Sequence, residues 1–468
     1  VARRLLCALA FGLASLSAAA QSLPPPVAQA LADAGIPENN VGVFVQDTSE
    51  SRPLLALNAE WAMSPASTMK LVTTYAGLEL LGPAYTWKTE VYRDGELDGD
   101  TLKGNLIIKG GGDPHLTEED FWLLLRRLRQ QGLRHIRGDL VLDQSRFGVG
   151  EGDPGAFDGE PYKAYNVLPQ ALMAGFQVVT FRLLPDPERQ TVKIVADPQS
   201  PRLKIVNRLK LNGGGCDAWS AKVSEDGDGV SVSFDGSLSA ACGERGTHLR
   251  VFSNTAHLDA LFRQLWQEAG GSLSGQTRVG AVPDGAVLLA AAPSHPLAEI
   301  VRDINKFSNN TMARSLFLTL GAEASGSPGT PANAAAAVHC WLAAKELEFP
   351  ELVLKNGSGL SRAERISAGH LGELLLAAWR SPVMPEYVSS LPVTALDGTM
   401  KKRLREEFVA RMAHVKTGTL DGVKAIAGYV RDVRGHYLAV VFLINDPRAS
   451  LGGKAQDALL DWVYNPSP

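Results

Sequence analysis

The chain has 468 residues, 45% of them apolar and 21% charged, which is enough for a sizeable core and for more than one domain. Its formal net charge of −4 at pH 7 provides no basic footprint for nucleic acid. At the start, Arg3-Arg4, an apolar run from Leu5 to about Leu16 and then Ala18-Ala19-Ala20 read as the charged, apolar and cleavage regions of an export signal, with removal expected after Ala20. That run is too short for a comfortable membrane span, and Cys7 lies at its beginning and not at the cleavage position, so no stable membrane or lipid anchor is expected. Strands are expected over 41–47 and 54–57. A helix then begins near Ser64-Pro65 and carries Leu71, Val72, Tyr75, Ala76 and Leu78 at helical spacing until Gly82-Pro83 stops it. Short strands over 86–93, 102–109 and 139–142 and a helix over 118–131 follow. From about 167 to 251 the texture is almost wholly strand-like, with runs at 178–184, 192–195 and 230–234. A helix over 257–269 resumes the mixed texture, helices dominate after it, and strands over 425–430 and 437–444 lead to a last helix over 454–464. No internal repeat of fixed period is evident. Cys216 and Cys242 lie in one Gly-rich segment and could pair in an oxidising compartment, whereas Cys340 reads as a small apolar packing residue.

Three short motifs carry chemistry. Ser67-Thr68-Met69-Lys70 is the only Ser with a Lys three positions later. On a helix start the two side chains lie one turn apart, and an amine at that distance can activate a hydroxyl without a histidine. Ser308-Asn309-Asn310 precedes an apolar helix through Met312, Leu316 and Leu320; alone it is an ordinary polar helix entry. Lys416-Thr417-Gly418-Thr419 sits on an expected strand; alone it is a lysine on a sheet edge, with a glycine that lets another backbone approach. In this order the three supply a nucleophile, two candidate bases and a cationic strand edge.

With these motifs the chain resembles the serine D-alanyl-D-alanine carboxypeptidases among the class C low-molecular-mass penicillin-binding proteins, the PBP4 or DacB type of peptidase family S13. The blocks at 65–71, Gly110-Gly111-Gly112-Asp113-Pro114, 356–362, Leu391-Pro392 and Asp397-Gly398-Thr399 extend the resemblance over nearly all the mature chain. Asn356 departs from the usual Asp, and the turn should survive because both residues tolerate tight turns. The resemblance implies a multi-domain α/β fold: a transpeptidase-like domain, an antiparallel sheet flanked by helices, over 21–86 and 292–468. Nested in it would be an α/β domain over 87–166 and 252–291, and an all-β domain over 167–251.

The implied chemistry is acyl transfer. Ser67 attacks the penultimate D-alanine carbonyl, Lys70 takes its proton if desolvation near other cations keeps it neutral, Ser308 relays a proton to the leaving amine, and Asn310 holds the substrate amide and Lys70. Lys416 keeps the field positive and, with Thr417, Gly418 and Thr419, receives the terminal carboxylate. Backbone N–H groups of Ser67 and Thr419 form the oxyanion hole. Asp143 and Arg362 match positions that can hold the free end of a diaminopimelate side chain, and Asp421 stands where some relatives carry an amide. The partners implied are peptidoglycan stem peptides and, as inhibitors, β-lactams, in the periplasm; the oligomeric state is open. No cofactor is expected, and no metal either, because none of the nine histidines has a ligand-pair spacing or a cysteine at zinc distance. His339, His370 and His414 read as surface or satisfied core residues, and His414 shares strand parity with Lys416. A β-lactamase would keep the first two motifs much closer together, and a non-catalytic peptidoglycan-binding scaffold need not retain Ser67, Lys70, Ser308, Asn310 and Lys416.

Overall fold

The computed structural model describes residues 22–150, 152–213, 215–226 and 229–465, so the expected export signal lies outside the described residues. Helix α1 (Pro25–Asp33) precedes strands β1 (Val41–Asp47) and β2 (Leu55–Leu57). A 3-10 turn, Ala66–Met69, then runs directly into α2 (Lys70–Leu81). The helix expected from Ser64-Pro65 is therefore present, with a tighter first turn that holds Ser67. Every residue of α2 from Lys70 to Leu78 is buried, which makes it a core helix and not a surface one.

From here the chain leaves the first sheet on β3 (Lys88–Asp98), which forms a long hairpin with β4 (Thr101–Gly110). Helix α3 (Glu118–Gln130), β5 (His135–Ile136) and β6 (Leu140–Asp143) follow. Thr117 and Asp120 cap each other's backbone at the start of α3. Next come β7 (Val179–Asp186), β8 (Thr191–Asp197), β9 (Leu203–Leu211), β10 (Trp219–Asp226), β11 (Gly229–Leu238) and β12 (Arg245–Leu249). They make two three-stranded sheets, β12-β7-β8 and β10-β11-β9, around Phe181, Phe234 and Leu238. Cys216 and Cys242 are bonded beside them, their Cα atoms 5.5 Å apart. Strand β9 eludes a reading by apolar runs because Lys204, Arg208 and Lys210 alternate along its exposed side.

Helix α4 (Asn254–Glu268) and strands β13 (Ser272–Leu273), β14 (Thr277–Val279) and β15 (Val287–Pro293) complete a seven-stranded sheet with β3–β6, and α3 and α4 pack on it. Strand β15 pairs antiparallel with β3, Pro293 opposite Lys88. The excursion thus departs and returns as a two-stranded stalk. With its ends already adjacent, the length of the excursion weighs little on the core, since loop-closure entropy grows only logarithmically.

Back at the base of the stalk, α5 (Leu297–Phe307) and α6 (Asn310–Ser325) meet at Ser308-Asn309, and α7 (Pro331–Ala344), α8 (Ala368–Trp379) and α9 (Met384–Ser390) follow. Strands β16 (Ala413–Leu420), β17 (Val423–Arg431) and β18 (Tyr437–Asn445) then precede α10 (Gly453–Tyr464). They join β1 and β2 in an antiparallel sheet of order β16-β17-β18-β1-β2. Helices cover both faces, which is why β18 reads as an unbroken apolar run. Ala439, Val441 and Leu443 face the core of α2, α5, α6 and α8, while Val440, Phe442 and Ile444 pack against α1 and α10. Strand β16, which carries Lys416, is one edge of this sheet, and residues 392–394 bond to the outer side of its first half. Cys340 corrects the expectation that it packs inside: it is exposed, because the buried stripe of α7 runs through Ala334, Val338, Trp341 and Leu342.

Candidate active site

One helical turn brings Lys70 Nζ to 2.9 Å from Ser67 Oγ. Lys70 is fully buried, and its Nζ also donates to Asn310 Oδ1 at 2.7 Å and to the Ser358 carbonyl at 2.5 Å. Its neighbours therefore come from three distant parts of the chain. Ser308 sits between α5 and α6 in the left-handed region, φ +57° and ψ +35°. Asn309 is the ordinary helix entry, its side chain accepting from Met312 N–H at 3.0 Å, and this leaves Asn310 free to turn inward. Lys416, also fully buried, donates to Ser308 Oγ and to the Thr417 carbonyl, both at 2.8 Å. Four of the five residues expected to be catalytic thus form two lysine–serine pairs, and the fifth, Asn310, is bonded to Lys70.

Close backbone approach holds this arrangement. A Cβ on Gly418 would lie 2.7 Å from the Pro65 carbonyl oxygen and 3.0 Å from Ser67 N, so the edge of β16 runs alongside Ser67. Ala66, at φ +46°, is strained in the same sense as Ser308; each such residue costs about 1–2 kcal/mol that the surroundings must offset. The turn at Asn356 survives, as expected: its Oδ1 accepts from the Ser358 N–H and hydroxyl, and its Nδ2 donates to the Leu360 carbonyl, a bond that a carboxylate could not make. That turn aims the Ser358 carbonyl at Lys70.

Burial decides the charge state of both lysines. Desolvation, then the nearby Lys416, holds Lys70 well below the usual lysine range, with Glu364 opposing and Arg314 adding to the depression. Burial alone brings Lys416 down to about 7. Glu364 is fully buried, and its Oε1 accepts the backbone N–H groups of Lys355, Asn356 and Gly357.

The expected substrate residues divide. Thr417 Oγ1 donates to Thr399 Oγ1 at 2.8 Å, and Thr419 is exposed on the same edge. Arg362 and Asp421 meet: Arg362 Nη1 donates to the Asp421 carbonyl at 2.6 Å, and the guanidinium lies 5.2 Å over the Phe157 ring. Asp143 is elsewhere. It is buried at the end of β6, and its two oxygens accept from Ser145 N–H and Val282 N–H, so it is a turn-holding aspartate. The acid that shares a cavity of about 400 Å³ with Arg362 and Phe157 is Asp153. His414, despite its parity with Lys416, sets its Nδ1 3.3 Å from the Val388 carbonyl. His370 lies between Glu351 and the Phe349 ring, and His339 is exposed.

Residues 24–465 match the D-Ala-D-Ala carboxypeptidase 3 (S13) family. The chain belongs to that family. It is 30% identical to a D-alanyl-D-alanine carboxypeptidase of Actinomadura sp. strain R39, over 89% of this chain and 80% of that one. It is 26% identical to the D-alanyl-D-alanine carboxypeptidase DacB of Haemophilus influenzae, over 88% and 86%. The crystal structure of penicillin binding protein 4 (dacB) from that organism superposes with a TM-score of 0.78 at 25% identity, covering 94% of this chain and 99% of that one. The expected penicillin-binding, β-lactamase-like multi-domain α/β fold is borne out, and the protein is a serine-type D-Ala-D-Ala carboxypeptidase.

Several structural partners in this S13 enzyme carry no signal that singles them out in the sequence. Lys306, on α5, donates to the Leu391 carbonyl at 2.6 Å and to Asp397 Oδ2 at 2.7 Å. Through those bonds the 391–392 and 397–399 blocks anchor the helix that ends at Ser308 and bring Thr399 to Thr417. Arg314 and Glu364 are equally silent, and Gly359, although inside the 356–362 block, carries nothing in sequence that tells its own role. Gly359 has φ +82°, and a Cβ there would lie 1.8 Å from the Ala66 carbonyl oxygen and 2.8 Å from Ser67 N. Gly359→Ala is therefore expected to cost about 3 kcal/mol or more of stability and to abolish acylation by labelled penicillin. A wild-type denaturation midpoint together with normal acylation would show that the turn has room.

Proposed function

We propose that the enzyme is an exported periplasmic DD-carboxypeptidase and DD-endopeptidase of peptidoglycan, working through an acyl-enzyme on Ser67 and inhibited by β-lactams. The carrying observation is the Ser67–Lys70 contact inside a desolvated, cationic pocket. An ammonium has three donors and no lone pair, whereas a neutral amine has two donors and one lone pair. Asn310 Oδ1 and the Ser358 carbonyl can only accept, so they take the two donors of a neutral Lys70 and leave its lone pair for the Ser67 hydroxyl.

As Ser67 Oγ bonds to the penultimate D-alanine carbonyl carbon, its proton passes to Lys70, and the N–H groups of Ser67 and Thr419 receive the oxyanion. Ser308 relays a proton to the amine as the C–N bond breaks and the terminal D-alanine leaves. Water then cleaves the ester. Asn310 positions both Lys70 and the substrate amide, and Lys416 with Thr417, Gly418 and Thr419 holds the terminal carboxylate. A bound carboxylate favours the charged form of Lys416. Endopeptidase action follows if the leaving group is the side-chain amine of a crosslinked residue. No described helix is long and apolar enough to cross a membrane. The chain divisions expected from sequence, with an α/β domain and an all-β domain nested in the catalytic one, are part of this reading.

Two titrations bound the activity. Lys70 must be neutral to accept a proton, so acylation falls as pH drops through its lowered pKa. Lys416 must be charged to hold a carboxylate, so acylation of the free enzyme falls as pH rises above about 7. The pH profile of kcat/KM for labelled penicillin should be bell-shaped, and Lys416→Arg should move the alkaline limb upward because a guanidinium stays charged; a limb that stays in place would remove Lys416 from this role. Ser67→Ala should form no adduct and release no D-alanine from a pentapeptide. Rapid turnover of the wild-type adduct would point to a β-lactamase, and a wild type with neither adduct nor D-alanine release to a scaffold.

The Asp153–Arg362 cavity suits a substrate side chain ending in an amine and a carboxylate, as diaminopimelate does. Losing a charge-assisted bond costs about 1.5–3 kcal/mol, roughly 10- to 150-fold. Arg362→Ala should raise KM by that factor for a diaminopimelate-containing stem peptide and leave a peptide without that terminus unaffected. Equal losses for both peptides would mean that Arg362 only props the loop at Asp421.

A further inference from the structure

Away from Ser67, the fold brings together three side chains far apart in sequence. His115 lies in the loop between β4 and α3, Asp120 in the first turn of α3, and His295 just ahead of α5. One ligating atom from each lies within 4.8 Å of those of the other two. The imidazole rings stand edge to face, centroids 5.6 Å apart at 88°. Asp120 Oδ2 is committed to the helix cap, accepting from the Thr117 hydroxyl at 2.9 Å, and Oδ1 is left facing His295 Nε2 at 4.0 Å.

What distinguishes the group from a chance surface cluster is its second layer. His295 Nδ1 is 3.0 Å from Glu299 Oε2, and His115 Nε2 is 3.5 Å from Asp303 Oδ2. Both carboxylates belong to α5, one turn apart, so they lie on one face. Glu299 hydrogen-bonds His295 Nδ1 and so favours a lone pair on the other nitrogen, Nε2, while Asp303 stands beside His115 Nε2 as an ion-pair neighbour. The other nitrogen of His115, Nδ1, is buried and has no hydrogen-bond partner. The Asp113 carboxylate, which accepts from His115 N–H at 2.8 Å, holds the loop.

We propose that His115, His295 and Asp120 bind one late first-row divalent cation of the zinc type, with Asp303 and Glu299 as the carboxylates that orient the two imidazoles. Two imidazoles and one carboxylate form a ligand set suited to zinc, and the fourth position is left for water. Calcium and magnesium are disfavoured because they take oxygen ligands. The site joins the excursion, through His115 and Asp120, to α5, whose far end is Ser308. Its effect is structural: it ties the base of the stalk to the helix that presents Ser308, without touching the reacting atoms. The sequence separations explain why ligand spacing alone predicts no metal.

The test uses the untagged full chain, stripped with chelator and dialysed against zinc, with bound metal measured by elemental analysis and melting temperature by calorimetry. One zinc per chain and a raised melting temperature are expected for the wild type. His295→Gln, at a half-exposed position that should fold normally, should lose both effects. Asp303→Asn should bind the metal 10- to 100-fold more weakly, as other carboxylate-orienter losses do. The proposal is overturned if wild type and His295→Gln retain the same zinc, or if zinc raises both melting temperatures equally. Should His295→Gln fail to fold, Asp120→Asn, which keeps an oxygen for the helix cap, is compared in its place under the same criteria.

Discussion

The structure turns on the desolvation of Lys70. An ammonium in a dry interior is expensive unless it is paired, and the pocket offers it oxygens but no carboxylate within hydrogen-bond reach. Glu364 acts from farther off, with Oε1 already occupied by three backbone N–H groups. Lys416 and Arg314 push the same way as burial. For Lys416 a displacement from 10.5 to about 7 corresponds to roughly 5 kcal/mol against the charged form. The proposed role of Lys416, binding the substrate carboxylate, would offset this cost.

Such a pocket can persist only if its geometry is held from several directions. The acceptors of Lys70 lie 3, 240 and 288 residues away in sequence. Gly359 and Gly418 press against the turn that carries Ser67, and Lys306 fixes the C-terminal end of α5 to the 391–397 segment. Left-handed Ala66 and Ser308 are tolerated because the same packing leaves them no alternative. The paired β3–β15 stalk explains how a long excursion between the first two motifs coexists with this precision: its ends are hydrogen-bonded neighbours before the excursion begins.

Residues whose role is local are legible in the sequence, and residues whose role depends on a distant partner are not. The Ser67–Lys70 turn, the inward Asn310 and the edge strand of Lys416 each follow from spacing a few residues long. The buried strands β1, β17 and β18 show themselves by apolar runs, whereas β9 does not, with charges along its exposed side. Asp143 and Asp153 show the limit most clearly. Both are aspartates in turns on the same excursion, and nothing nearby in sequence says which one shares a cavity with Arg362. Cys340 misleads because its Ala-rich neighbourhood hides which face of α7 is buried. His115 and His295 are 180 positions apart, and only the return of β15 along β3 makes them neighbours.

In the proposed mechanism the two buried lysines divide the work by their surroundings, not by their chemistry. Two like charges in one dry pocket cannot both be held cheaply, so protonating one resists protonating the other. Lys70 faces a hydroxyl and two obligate acceptors, which suits a neutral amine. Lys416, buried beneath the edge of β16, is the cation assigned to the substrate carboxylate, and a bound carboxylate restores its proton. A cation at Lys416 in turn holds Lys70 neutral, so the group that recognises the peptide's end and the group that activates the serine are coupled through one field. That coupling gives a physical reason for a second lysine, and not a histidine, at the strand edge: its unperturbed affinity for protons is high enough to survive burial with a charge still available near neutral pH.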